Sequence, residues 1–235
     1  MNNSGALVFT IIVTIVVVGV VLLILAAAER KKATRAFAAE HGLTLTPRKG
    51  WKLGACGFDL FVAGYGRRWT DVMTGMWRSC PIVCADYQYT ERSGNNGTTH
   101  YLSIVVIDLG CAMPAVTLTQ RGALGRFAST ALGAPGLRFE SIALNERFDV
   151  ESADPHVAYE LIDARMIEAL QACRPDTNVA FGPSHLLVWT PRRSVKQLPT
   201  LLDDAVSLAG HIPALVRRQY STGAPPPGPA QEAVR

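Results

Sequence analysis

Residues 6–28, ALVFTIIVTIVVVGVVLLILAAA, form an apolar run of 23 residues without a single charge. As a helix this run is roughly 35 Å long at ~1.5 Å per residue. A hydrocarbon core of about 30 Å needs about 20 such residues. The run therefore predicts a transmembrane helix with modest tilt. Its polar side chains, Thr10 and Thr14, can bond back to the helix backbone. Its wealth of Val and Ile is no obstacle, because in lipid the backbone must satisfy its own hydrogen bonds. A cleaved signal peptide fits less well. The small residues Ala26–Ala28 suggest one, but MNNSG carries no Lys or Arg and the run exceeds the usual signal core. A buried core helix also fits less well, since one of this length would be expected to carry some charge.

The flanks set the orientation. The N-terminal side has no basic side chain, whereas Arg30, Lys31, Lys32 and Arg35 follow the run. The positive-inside rule then puts residues 1–5 outside the cell and everything after residue 28 in the cytoplasm. The predicted location is the inner membrane, crossed once. Residues 29–42 favour a basic juxtamembrane helix that stops at Gly42. Its four cations fall at headgroup depth and are the predicted membrane-surface contacts, each worth roughly 1 kcal/mol near an anionic leaflet. The formal charge is +4, and residues 29–40 supply two of those charges, four basic against Glu29 and Glu40. The remainder is nearly balanced, so no broad basic face points to nucleic acid. Cys56, Cys80, Cys84, Cys111 and Cys173 are odd in number and irregular in spacing. That pattern is no disulfide framework and suits a reducing compartment.

From residue 43 to 220 one core is expected. FDLFV (58–62), WTDVMTGMW (69–77), IVCADYQYTE (82–91), TTHYLSIVVIDL (98–109) and AVTLT (115–119) have strand character. RSGNNG holds the Asn-Gly pair of a tight hairpin. In that hairpin Tyr87 and Tyr89 are expected on one face, and Leu102 and Ile104 on another. Residues 122–136 look like a loop. FESIAL (139–144) and RFDV (147–150) suggest two more short strands. Then the period changes. Asp154 and Pro155 open a predicted helix over 155–173, with an apolar stripe at Ala158, Leu161, Ile162, Met166, Ala169, Leu170 and Cys173. NVAFGPSHLLVWTP predicts a hairpin turning at 182–184. A last amphipathic helix spans 197–219 and should break at Pro213. The tail 221–235 has no core-forming pattern and is expected to be disordered.

The chain is poor in recognisable chemistry. Cys80 and Cys84 have a spacing that zinc permits, but in a strand their Cα atoms lie about 13 Å apart, too far to share one metal without a sharp bend. The five histidines are scattered, and no nucleophile elbow, phosphate loop or dinucleotide fingerprint occurs. No catalytic residue, metal site or cofactor is predicted. GYGRR (64–68) is expected to be a glycine turn between strands. Its Arg67 and Arg68 are candidate binding residues for an anionic headgroup or a partner's carboxylate. An alternative is an enzyme with an unfamiliar site around His100, Cys84 and Asp86.

Three stretches carry a resemblance: GYGRRWTDVMTGMW, ADYQYTERSGNNGTTHYLSIVVIDL and FESIALNERFDVESADPHVAYELIDARMIEAL. With Gly64–Arg68, Asp86–Tyr89, Thr99–Val106 and Leu144–Val150, the chain resembles a family of uncharacterised bacterial single-pass membrane proteins carrying a domain of unknown function. The likeness covers most of residues 58–216, and it departs at Leu144, where Phe is usual. It implies an anchor followed by a folded domain and carries no catalytic residue.

The expected fold class is thus α+β: an N-terminal transmembrane helix, then an antiparallel sheet or partial barrel, with a pleckstrin-homology-like barrel possible, packed by two amphipathic helices. The expected function is that of a membrane-tethered, non-catalytic module. It would meet an anionic lipid or a protein partner at the inner membrane face.

Overall fold

The computed structural model describes residues 3–46, 56–93, 96–121 and 136–221. Helix α1 (Asn3–Glu40) continues the apolar run without a break for 38 residues. Large apolar side chains along the run, among them Phe9, Ile15, Val17, Leu22, Ile24 and Leu25, are exposed. The last turns differ: Thr34, Phe37 and Ala38 are buried. The end of the basic juxtamembrane helix is thus packed against the sheet domain. Gly42 ends the helix at φ +66°. There the Leu43 N–H donates to the Ala38 carbonyl at 2.8 Å and the Gly42 N–H to the Ala39 carbonyl at 3.4 Å, the paired bonds that a left-handed glycine allows.

Among the described residues eight antiparallel strands follow in one sheet: β1 (Thr44–Leu45), β2 (Tyr65–Trp77), β3 (Cys80–Ser93), β4 (Asn96–Asp108), β5 (Val116–Gln120), β6 (Phe148–Ser152), β7 (Asn178–Phe181) and β8 (His185–Pro191). Their order is β1-β2-β3-β4-β8-β7-β5-β6. Among the described residues β1 and β6 do not pair, so the sheet is open. The barrel alternative is corrected. The α+β class with an N-terminal apolar helix is as the sequence predicts.

Several local expectations hold for stated physical reasons. β3 and β4 pair as the predicted hairpin, with Ser93 opposite Asn96 and Arg92 opposite Gly97, but the Asn96–Gly97 pair expected to make the turn lies within β4, and residues 94–95 lie outside the described residues. β7 and β8 turn at Gly182–Ser184, with Phe181 opposite Leu186. Pro213 separates α5 (Leu198–Gly210) from α6 (Ala214–Gln219). The loop over 122–135 and the tail over 222–235 lie outside the described residues.

Other expectations are corrected. FDLFV is not a strand: Asp59–Phe61 form a 3₁₀ turn that lays Leu60 and Phe61 on the sheet. GYGRR is not a turn between strands. It opens β2, whose register shifts between Tyr65 and Arg68, with Gly64 and Gly66 at φ +62° and +65°. The true β2–β3 turn is Arg78–Ser79, both at positive φ. Asp203 fastens that turn, accepting from Trp77 Nε1 at 2.7 Å and Arg78 Nε at 2.6 Å. FESIAL contains no strand but the start of α2 (Ile142–Arg147), capped by Ser141, whose Oγ accepts from the Leu144 N–H at 3.2 Å. The helix over 155–173 is two pieces, α3 (Pro155–Leu161) and α4 (Ala164–Ala172). Asp163 makes the break by accepting from the Met166 N–H at 2.8 Å. Its short side chain serves as a cap better than as a helix interior residue.

The sheet separates two apolar layers. On one face α3–α6 and the end of α1 cover Cys84, Val105, Val116, Val150 and Val188. On the other, the 56–61 segment covers Tyr87, Tyr89, Leu102, Ile104 and Trp189. Tyr87 pairs with Leu102, so these four hairpin residues share one face. The expectation of two faces is corrected: residues directly opposite in antiparallel strands point the same way.

Candidate functional site at the helix exit

Helical spacing puts Arg30, Thr34, Phe37, Ala38 and His41 on one face of α1. Phe37 meets Trp77 with ring centroids 6.1 Å apart. Seven residues earlier, Arg30 reaches Asp86 in the middle of β3. Its Nε and Nη2 donate to the two carboxylate oxygens at 2.8 and 2.7 Å. Arg192, just past β8, donates its Nε to Asp86 at 2.7 Å, and the Ser103 hydroxyl donates at 3.1 Å. Arg30 also donates to the Arg193 carbonyl at 2.6 Å. The Asp86 side chain is only 7% exposed and that of Arg30 18%. A buried carboxylate persists as an ion only with partners of this kind. Arg30 is thus a structural ligand of the sheet, which sets it apart from the other three predicted membrane-surface cations.

Beside this node lies an open groove of about 910 Å³. Ala26, Ala27, Lys31 and Arg35 of α1 form one wall. Leu45, Thr46 and Thr70–Val72 form the other, with Arg192 at the end. Asp71, at φ +53°, sits where β2 shifts register. Lys32 does not line the groove.

Contacts also fix the relative direction of α1 and β3. Trp77 faces Cys80 at the start of β3, and Asp86 is further along it. Ala26 and Ala27 share the groove with Arg192, whose N–H bonds the Tyr101 carbonyl at 2.9 Å. Moving along α1 toward the apolar run is therefore moving toward the β3–β4 hairpin. The exposed Tyr65, Tyr101, Arg67, Arg68 and Arg92 lie on that end of the sheet.

The other candidates are not brought together. Trp69 lies with Tyr87 on one face, stacked at 4.2 Å, so Arg68 next to it points to the other. Arg67 donates to the Val62 carbonyl. The two arginines do not act as one clamp. His100 faces Tyr89 and stacks on it at 4.9 Å. Cys84 and Asp86 point to the opposite face, and Cys84 is 1% exposed. His100, Cys84 and Asp86 therefore form no common site.

All five cysteines are free. Burial pushes the Cys56 thiol up to about 11 and Cys173 to about 12, and it raises Cys84 further. Thiolate, not thiol, is the reactive form. We expect a thiol reagent at pH 8 to modify only the half-buried Cys80 quickly in the native chain, and all five after denaturation. Rapid modification of Cys84 or Cys173 would contradict the packing described.

No family model and no curated protein matches the chain. Among solved structures, the chain is similar to the mycobacterial trehalose monomycolate transport factor A, TtfA. The TM-score is 0.51 at 14% identity, over 85% of this chain and 98% of that one. At this identity the likeness is one of fold.

Proposed function

We propose that the chain is a membrane-tethered, non-catalytic module that binds a lipid or protein partner at the cytoplasmic face of a cell membrane. One observation carries this: α1 runs unbroken from a membrane-length apolar run into the core of the sheet, locked there by Arg30 on Asp86. A helix continuous in this way holds the domain at a fixed distance from the bilayer, where a flexible linker would let it wander. The hairpin end of the sheet then faces the headgroups with Tyr65, Tyr101, Arg67, Arg68 and Arg92. Tyr and Arg suit that interface, since each combines an apolar body with a polar tip. The fold shared with a protein called a transport factor suits a chain that works by binding. The family resemblance noted in the sequence is consistent with an anchor and one domain.

Alkaline carbonate washing of membranes holding the full chain tests the tether. The chain should stay in the pellet. Replacing Val17 and Val21 by Lys should release it, because each charge at a helix centre costs roughly 3 kcal/mol of insertion. Release of the unaltered chain would refute the proposal.

A further inference from the structure

We infer that the groove between α1 and the β1–β2 edge holds the headgroup of an anionic phospholipid from the leaflet that α1 enters. This rests on α1 being a membrane span. Four cations, Arg30, Lys31, Arg35 and Arg192, line the groove. Against them stand two carboxylates, Asp71 in the wall and Asp86, which holds Arg30 and Arg192, leaving a surplus of two positive charges. Asp86 takes the Arg30 fork and only the Nε of Arg192. Among the described residues no side-chain acceptor takes the terminal nitrogens of Arg192, or the charges of Lys31 and Arg35. They converge from two elements 157 or more residues apart in sequence, so the charge concentration is a product of folding and not of a basic run alone.

The groove's position selects a lipid over a soluble anion. Ala26 and Ala27 bound it where the apolar run ends, and Leu22 and Leu25 just before them are exposed. A diester phosphate seated between Lys31, Arg35 and Arg192 leaves its acyl chains free to lie along this apolar surface. The small alanines let the glycerol approach the helix closely. Leu45, 37% exposed, supplies apolar surface on the facing wall. Lys32 and the groove cations share the same depth in the chain, yet Lys32 points elsewhere. A general attraction to an anionic surface would use all of them equally. A groove would not.

The test uses the purified full chain in a neutral detergent, titrated with dioleoylphosphatidylglycerol or dioleoylphosphatidylcholine. Retained lipid is counted by native mass spectrometry. One phosphatidylglycerol should be held in preference to phosphatidylcholine. Lys31→Gln and Arg35→Gln should each weaken it roughly fivefold, the factor that ~1 kcal/mol per charge implies. Lys32→Gln should change it by less than about twofold. Equal retention of the two lipids, or an equal loss in Lys32→Gln, would overturn the inference. Displacement of the lipid by millimolar inorganic phosphate would show the ligand to be a soluble phosphate and overturn it too. Carbonate washing of the same variants separates the failures. A chain still integral to the membrane but without lipid preference sinks the groove alone, whereas a chain released by the wash sinks the tether.

Discussion

Replacing Asp86 with asparagine is expected to lower the melting temperature of the full chain by roughly 10 °C. The carboxylate is nearly buried and receives Arg30 through two nitrogens, Arg192 through one, and Ser103 through its hydroxyl. Removing one partner from a buried ion pair costs about 3–5 kcal/mol, because the other charge is left without compensation. For a domain of this size each kcal/mol moves the midpoint by about 2–4 °C. Asparagine keeps the shape but leaves two guanidiniums competing for one neutral oxygen. Adding Arg30→Met to the variant should recover part of the loss, since it removes the uncompensated buried charge. A thermal scan in detergent measures both. A shift under about 2 °C for Asp86→Asn would show that α1 is not locked to the sheet in this way.

The second large effect belongs to Arg147, at the end of α2. Its Nη1 donates to the Leu170 and Gln171 carbonyls at 2.9 and 3.1 Å, and its Nη2 to Cys173 at 2.9 Å and Arg174 at 2.5 Å. These are the orphan carbonyls at and beyond the end of α4. A cation there also complements the helix dipole. The guanidinium further lies 4.9 Å over the Phe148 ring. Arg147→Ala strands four carbonyls at once and should cost about 3 kcal/mol. Arg147→Lys should recover less than half of that, because one ammonium cannot span both pairs. Chemical denaturation of the three proteins decides it, and an alanine variant within about 1 kcal/mol of the parent would contradict the capping role.

Neither residue's role is legible in the sequence, and the reason is distance. Arg147 caps a helix 23–27 residues further along. Asp86 meets partners 56 and 106 residues away. The sequence does hold a signal at Asp86: an acid in a strand whose same-face neighbour is the buried Cys84 must find a cation. It does not say which one, and Arg30 looks like a membrane-surface residue because it stands among Lys31, Lys32 and Arg35. Features that depend on adjacent residues are legible. The apolar run, the Gly42 stop, the Asp154 cap and the Pro213 break each follow from local chemistry. The elements that differ from expectation are short ones whose conformation is decided by packing. Ile142–Arg147 is six residues long, too short to be helical without the tertiary contacts that hold it. The helix over 155–173 reads as one because its continuous apolar stripe hides the capping preference of Asp163. The place of β5 between β7 and β6 is likewise a non-local outcome that no spacing announces.

The groove is half legible. Its α1 wall follows from Arg30, Lys31 and Arg35 after an apolar run. The facing wall requires the register shift of β2 around Asp71 and the return of β8 to Arg192. Arg67 and Arg68 look like a pair in the sequence, but strand alternation sends neighbours to opposite faces.

The most direct test of a tethered cytoplasmic module is the side of the membrane on which the domain sits, read with a topology reporter fused after Arg235. A cytoplasmic signal is the result expected from Arg30, Lys31, Lys32 and Arg35 following an uncharged N-terminus, and it suits five free thiols. An exported signal would contradict it: the domain would then face an oxidising compartment, and no cytoplasmic leaflet would reach the groove.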